Sequence, residues 1–199
     1  MTHADRRLFD LIDRWADTSL DDTAEVEARI RDGFEQCLAI LVLDTKGFSR
    51  SVARDGVLSF LARISHMRHA CVPTIEAHGG AVVKYVADDI VAVFDDPDAA
   101  LVAGLEMLDP AFGDDPDHPF AEFELSMGLG YGPVFHVPGT DLWGDQMNRA
   151  FKLGEDTADA GELMVTDEAW QALADPPAGA RRQSYRGSGL DLIAHVLTP

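Results

Sequence analysis

Apolar residues recur along the chain at distinct spacings, and each spacing predicts an element. Over residues 3–17, Leu8, Leu11, Ile12 and Trp15 fall at helical intervals. A second helix is expected after Asp21–Asp22–Thr23, with Val26, Ile30 and Phe34 on one face. CLAILVLD (37–44) is a continuous apolar run of strand length that stops at Asp44. TKGFS then turns into a long helical region carrying Val57, Phe60, Leu61, Ile64, Met67, Cys71 and Ile75. Pro73 should bend that helix or mark an irregularity in it.

Gly79–Gly80 breaks the helical period. AVVKYVA and IVAVF follow, reading as two strands around a tight turn at Asp88–Asp89. DPDAALVAGLEML reads as a helix opened by Asp96 or Asp98. HPFAEFELSMGLGYGPVFHV reads as strand, Gly-rich turn, strand, and DLWGDQMNRAFKLGEDTA as a helix opened near Gly144. GELMVT, DEAWQAL and two late strands around YRGSGLDLIAHVL complete the pattern. The order β-α-β-β-α-β-β-α-β-β predicts an α+β fold, with helices packed on one face of a mostly antiparallel sheet. The only shift in composition lies near residue 35, so 1–35 reads as an N-terminal helical extension and 36–199 as the main domain.

Composition narrows the function. The chain has 199 residues, 46% of them hydrophobic, which suits a globular fold with a real core. A net charge of -19 argues against nucleic acid as a partner, because that needs a basic footprint. No apolar run approaches the ~20 residues that cross a bilayer, and the charged stretch Met1 to Trp15 does not read as a signal peptide. Cys37 and Cys71 share no metal or redox spacing, which fits a cytoplasmic protein. There are 13 Arg but only three Lys, at 46, 84 and 152, so a lysine at a site is notable.

Asp44 ends an apolar strand before a Gly-containing turn, and Asp88 lies in a hairpin turn. If the two segments are neighbours, both carboxylates reach one edge of the sheet. Paired carboxylates repel unless a cation separates them, and one or two carboxylates plus phosphate oxygens suit Mg²⁺. The backbone N–H groups of Lys46 to Ser49 offer a phosphate cradle at a helix start. Asp89 reads as a solvated turn residue, and the lysine and acids of this segment are expected to lie unburied.

Over roughly residues 36–197 the chain resembles the catalytic domain of the class III adenylate/guanylate cyclases. LVLDTKGFS is similar to the first metal motif of that family, GGAVVKYVADD to the segment with the base-recognising lysine and second metal acid. MGLGYGPV resembles its Gly-rich segment and DLWGDQMNRAFK its signature helix. The resemblance implies a ferredoxin-like core with a mostly antiparallel sheet covered by helices. It implies Asp44 and Asp88 as ligands of two Mg²⁺ or Mn²⁺ per site, with Thr45, Gly47 and Phe48 as substrate contacts in the turn. Lys84 and Asp141 become the purine contacts, Asn148 the ribose contact, Lys152 a catalytic cation and Arg186 a triphosphate contact. The implied activity is conversion of ATP to 3′,5′-cyclic AMP and pyrophosphate at the interface of a homodimer. The implied alternatives are a weakly active or inactive nucleotide-binding signalling module, or a cyclase of another NTP.

The residues carry their own logic. Adenine offers an amine donor to Asp141 and a ring-nitrogen acceptor to Lys84, whereas guanine would set an acceptor against Asp141. Two positions depart from the family's pattern. Lys152 stands where an arginine is usual, keeping charge but losing the bidentate fork. Ala87 stands where glycine usually precedes the metal acid, which should tighten the turn. Lys46 reads either as a solvated surface lysine or as one that steers ATP. Trp143 and Phe151 read as core or interface packing.

Overall fold

Strand β1 (Glu35–Thr45) is buried on both faces from Leu38 to Asp44, and this organises the molecule. Ala39, Leu41 and Leu43 enter one hydrophobic cluster, while Leu38, Ile40 and Val42 enter another. A strand with both faces buried reads as a continuous apolar run instead of an alternating one. The structure, a computed structural model, describes residues 2–17, 23–46, 56–109, 124–187 and 190–198, with backbone alone at 186, 187, 190 and 191.

Antiparallel to β1 lie β3 (Asp89–Phe94) on one side and β4 (Leu125–Val137) on the other. β2 (Ala81–Val86) forms a hairpin with β3, and β5 (Asp141–Trp143) pairs with the end of β4. Further strands are β6 (Leu163–Thr166), β7 (Arg181–Gly187) and β8 (Leu190–Leu197). The sheet runs β2-β3-β1-β4-β6-β8-β7, and among the described residues only β4 and β6 pair in parallel. The α+β class and mostly antiparallel sheet therefore match expectation.

Helices cover both faces, not one. Met67, Cys71 and Ile75 of α3 (Val57–Ala77) and Leu101 and Met107 of α4 (Pro97–Leu108) pack on the Leu41 face. Met147 and Ala150 of α5 (Asp145–Phe151) pack on the Ile40 face. The two-sided burial of β1 and β3 demands this second layer. The side chain of Asp96 caps α4 by accepting from the Asp98 N–H at 3.0 Å. Pro73 lies within α3, whose helical run continues unbroken to Ala77.

A second correction concerns β4. The glycines of MGLGYGP do not turn the chain; β4 runs straight through them for 13 residues. They are needed because α5 and the turn after it lie directly on the strand. A Cβ on Gly128 would stand 2.6 Å from the Gly154 nitrogen, and one on Gly130 2.6 Å from the Gln146 carbonyl oxygen. At Gly128 and Gly130 glycine serves close backbone approach, not conformational freedom.

The N-terminal helices α1 (His3–Asp17) and α2 (Thr23–Phe34) bury Leu8, Leu11, Val26, Ile30 and Phe34 against Val137, Phe135 and Trp143. The short helix α6 (Asp167–Ala172) begins after Thr166, whose hydroxyl accepts from the Ala169 N–H. Among the described residues no helix is long and apolar enough to cross a membrane.

Candidate active site

The end of β1 and the β2–β3 turn bring three carboxylates together. Asp44, Asp88 and Asp89 each place an oxygen within 4.8 Å of the others, and all three residues are buried. Asp44 arrives on β1, which pairs with β3 through Leu43 and Ile90, so the two acids of the turn stand beside it. The expectation that this segment is unburied is wrong: Asp44, Asp88 and Asp89 are 9%, 7% and 5% exposed.

The turn itself is Ala87–Asp88, one residue earlier than the paired acids suggest. Ala87 takes a left-handed backbone (φ 51°), the conformation that a glycine would adopt without strain. Asp89 thereby becomes the first residue of β3, in register with Val86, and is a buried member of the cluster, not a solvated turn residue. Burial, then the charges of Asp44 and Asp88, push its pKa up to about 8. Burial also raises the pKa of Asp88, although the Thr45 hydroxyl donates to its Oδ2 at 2.5 Å and opposes the shift.

One cation already answers this charge. The Lys46 ammonium lies 3.1 Å from Asp44 Oδ2 and donates to the Glu155 carbonyl at 2.7 Å. Lys46 is thus tied into the cluster and is not a solvated surface lysine. Behind it, the Ser126 hydroxyl donates to the Gly154 carbonyl at 2.9 Å. Crowded hard oxygen donors with mutual repulsion form a donor set that fits Mg²⁺ or Mn²⁺.

A separate pocket of about 310 Å³ lies between β2, β5 and α5, lined by Lys84, Asp141, Trp143, Met147, Asn148 and Phe151 among others. At its wall the Lys84 ammonium donates to Asp141 Oδ1 at 2.5 Å. The same oxygen accepts from the Leu142 N–H at 2.8 Å, which orients the carboxylate. Lys84 sits where the β2–β3 register shifts by one residue, between Val82 and Lys84. Such a bulge re-aims a side chain. No residue of the acid cluster lines this pocket.

Lys152 does not join the pocket wall. It opens a π-helical turn (Lys152–Thr157) directly after α5, and its ammonium reaches Asp156 Oδ2 at 2.5 Å. Arg149 is engaged elsewhere, 2.6 Å from Asp145 and 3.3 Å from Glu168, so it takes no part in the pocket. Thr45 faces Asp88. Gly47, Phe48 and the Arg186 side chain lie outside the described residues. Sequence reasoning missed Asp89, Lys46 and the pocket role of Trp143, Met147 and Phe151. The i, i+4 spacing of Met147 and Phe151 was the available signal for that last wall.

No protein-family model matches the chain. Among curated proteins it is similar to uncharacterised proteins of Mycobacterium tuberculosis and Mycobacterium bovis, 29% identical over 112 residues. That stretch is 55% of this chain and 27% of theirs, so it spans about a quarter of the length of those relatives. Solved structures are closer in extent. An adenylate/guanylate cyclase/hydrolase from Silicibacter pomeroyi superposes with a TM-score of 0.70 at 25% identity, covering 83% of this chain and 98% of that one. The adenylyl cyclase CyaB from P. aeruginosa gives 0.65 at 18% identity, with 83% and 95% covered. The guanylate cyclase domain of RhGC from Catenaria anguillulae, in complex with GTP, gives 0.66 at 19% identity, with 82% and 98% covered. The chain thus has the fold of class III adenylate/guanylate cyclase catalytic domains over most of its length, as the motifs imply.

Proposed function

We propose that the chain is an adenylate cyclase that converts ATP to 3′,5′-cyclic AMP and pyrophosphate at the interface of a homodimer. On this reading residues 36–199 are the catalytic domain and 1–35 a helical extension. The observation that carries it is the division of the site within one chain. Lys84, Asp141 and Asn148 share one pocket, while Asp44, Asp88 and Asp89 form a second constellation that does not line it. Two half-sites on one chain suit a two-fold dimer, in which each active site joins the acids of one subunit to the pocket of the other.

Lys84 donates to an adenine ring nitrogen and Asp141 accepts from the exocyclic amine, both already oriented by their 2.5 Å contact. Asn148 orients the ribose so that its 3′-hydroxyl faces the α-phosphorus. Asp44 and Asp88 hold two Mg²⁺ or Mn²⁺ ions, which when bound acidify the attacking hydroxyl and neutralise the leaving pyrophosphate. Lys152 exchanges Asp156 for the α-phosphate and stabilises charge that grows there. Thr45, Gly47 and Phe48 border the triphosphate, and Arg186 supplies a further positive contact.

A second reading is a nucleotide-binding signalling module with little turnover. It is favoured by the closed Lys152–Asp156 pair and by Lys46 in the acid cluster. Turnover of ATP, GTP, CTP and UTP, each with Mg²⁺ and Mn²⁺, decides between them. Cyclic AMP as the dominant product supports the first reading. Calorimetric ATP binding without product supports the second, and dominant cyclic GMP overturns the base assignment.

A further inference from the structure

Between α1 and α2 lies a groove of about 340 Å³ that the cyclase reading does not use. Arg6, Arg7 and Arg14 of α1 and Arg29 of α2 line it, with His3 and Asp10. Four of the chain's 13 arginines therefore converge on one cavity, against one carboxylate, in a protein of net charge -19. Arg7, Asp10 and Arg14 recur at helical spacing, so one flank of α1 faces the groove.

Three of the four groove arginines differ from a neighbouring one. Arg31, also on α2, is held by Glu27 at 2.8 Å and Glu35 at 2.7 Å. Among the described residues, Arg6, Arg7 and Arg29 have no such carboxylate partner. The Arg7 guanidinium rests over the Phe34 ring, 5.5 Å from its centre. Guanidinium forks on two facing helices match the oxygens of adjoining phosphates better than those of a single carboxylate.

We propose that this groove is a binding site for a compact polyphosphate anion, either free or as the phosphate chain of a nucleotide. The site stands one helix from the purine pocket. Phe9 of α1 meets the Trp143 ring edge-on at 5.7 Å, and Trp143 lines that pocket.

The test is calorimetric titration of the full chain with tripolyphosphate, without divalent cations, at low and at physiological salt. Wild type binds, and binding weakens with salt. The Arg6→Gln/Arg29→Gln double variant loses at least about tenfold in affinity, since each exposed residue gives up a charge-assisted contact without disturbing the core. Lys84→Ala binds tripolyphosphate as wild type does. ATP that competes in the Lys84→Ala background assigns the site to nucleotides, and ATP that does not compete assigns it to free polyphosphate. Absence of tripolyphosphate binding, or equal binding by the double variant, overturns the proposal.

A second inference rests on the proposed metal role of Asp88 and on a different observation. Arg68 of α3 stacks 4.0 Å from the centre of the Tyr85 ring and donates through Nη2 to the Ala87 carbonyl at 3.0 Å. It thereby clamps the one described non-glycine residue with a left-handed backbone, directly before Asp88. We infer that Arg68 is a positioning residue for the metal acids, compensating for Ala87. Mn²⁺ affinity, read by electron paramagnetic resonance, should fall several-fold in Arg68→Met, with metal-free ATP binding unchanged. Adding Ala87→Gly to Arg68→Met should restore it by relieving the backbone. Unchanged Mn²⁺ affinity in Arg68→Met overturns this role, whereas a wild-type chain that binds no Mn²⁺ overturns the metal reading itself.

Discussion

The acid edge and the pocket of Lys84 and Asp141 handle charge in opposite ways. In the pocket each ion meets its counterpart within the chain, as Lys84 meets Asp141 at 2.5 Å. At the acid edge three buried carboxylates share one ammonium, that of Lys46, at 3.1 Å from Asp44. The pocket is electrostatically complete and the edge is not. A recognition surface can wait in its final geometry, while an ion-binding edge keeps a deficit that a divalent cation relieves.

The sharpest way to break this contrast is Asp44→Ala. Loss of cation-dependent turnover by ~10³-fold or more is expected, on the scale of removing an essential electrostatic contact. A cyclase assay across Mg²⁺ and Mn²⁺ concentrations checks it, and an unchanged rate would remove the acid edge from the chemistry. Next in size, Asp141→Ala should reduce the preference for ATP over GTP by ~10²-fold through kcat/KM, leaving Mn²⁺ affinity intact. A preference that survives would mean the base is read elsewhere.

Lys152→Arg should preserve or raise kcat, by up to about tenfold, because the fork restores a second phosphate contact. A strong loss would show that the site is built around lysine. A smaller effect concerns stability without cations. Folding raises the Asp89 pKa from 3.8 to about 8, so between these values the folded chain keeps a proton that the unfolded chain has released. That contribution is fully present below about pH 4 and is lost as pH rises towards 8. Asp89→Asn should therefore raise the cation-free Tm by a few degrees at pH 8 and hardly at pH 5. Calorimetric scans at the two values test this, and equal shifts at both would contradict the assignment. Smallest of all, Phe9→Ala should raise the KM for ATP by about two- to fivefold with kcat held, by loosening Trp143 on the pocket wall. Steady-state kinetics showing no change in KM would separate α1 from the pocket.

Where physics left a pattern in the sequence, the fold was legible. The uninterrupted run of β1 foretold its central place, and Leu8 and Leu11 of α1, the three apolar residues of α2, and Phe60, Ile64, Met67, Cys71 and Ile75 of α3 are buried as spaced, whereas Ile12, Trp15, Val57 and Leu61 share the period but are exposed. Failures came where one residue type serves two ends. Gly128 and Gly130 look like a turn because glycine usually punctuates a chain, yet they clear space for α5. Asp88–Asp89 looks like a solvated turn because paired acids usually are. Only the positive φ of Ala87 shifts the turn back and draws Asp89 inward. The three residues of β5 and the π-helical turn after α5 are too short to leave a period. The acids, Lys84, Asp141 and Asn148 could be picked out by ordered motifs, whereas the pocket walls depend on packing that no spacing encodes alone.

The glycines of β4 fix more than a packing distance. With α5 lying on bare backbone there is no cushion of side chains through which helix and strand could slide. Asn148 rides on the sheet as a rigid mount. If two such subunits pair as proposed, control falls on the angle at which their inflexible halves meet.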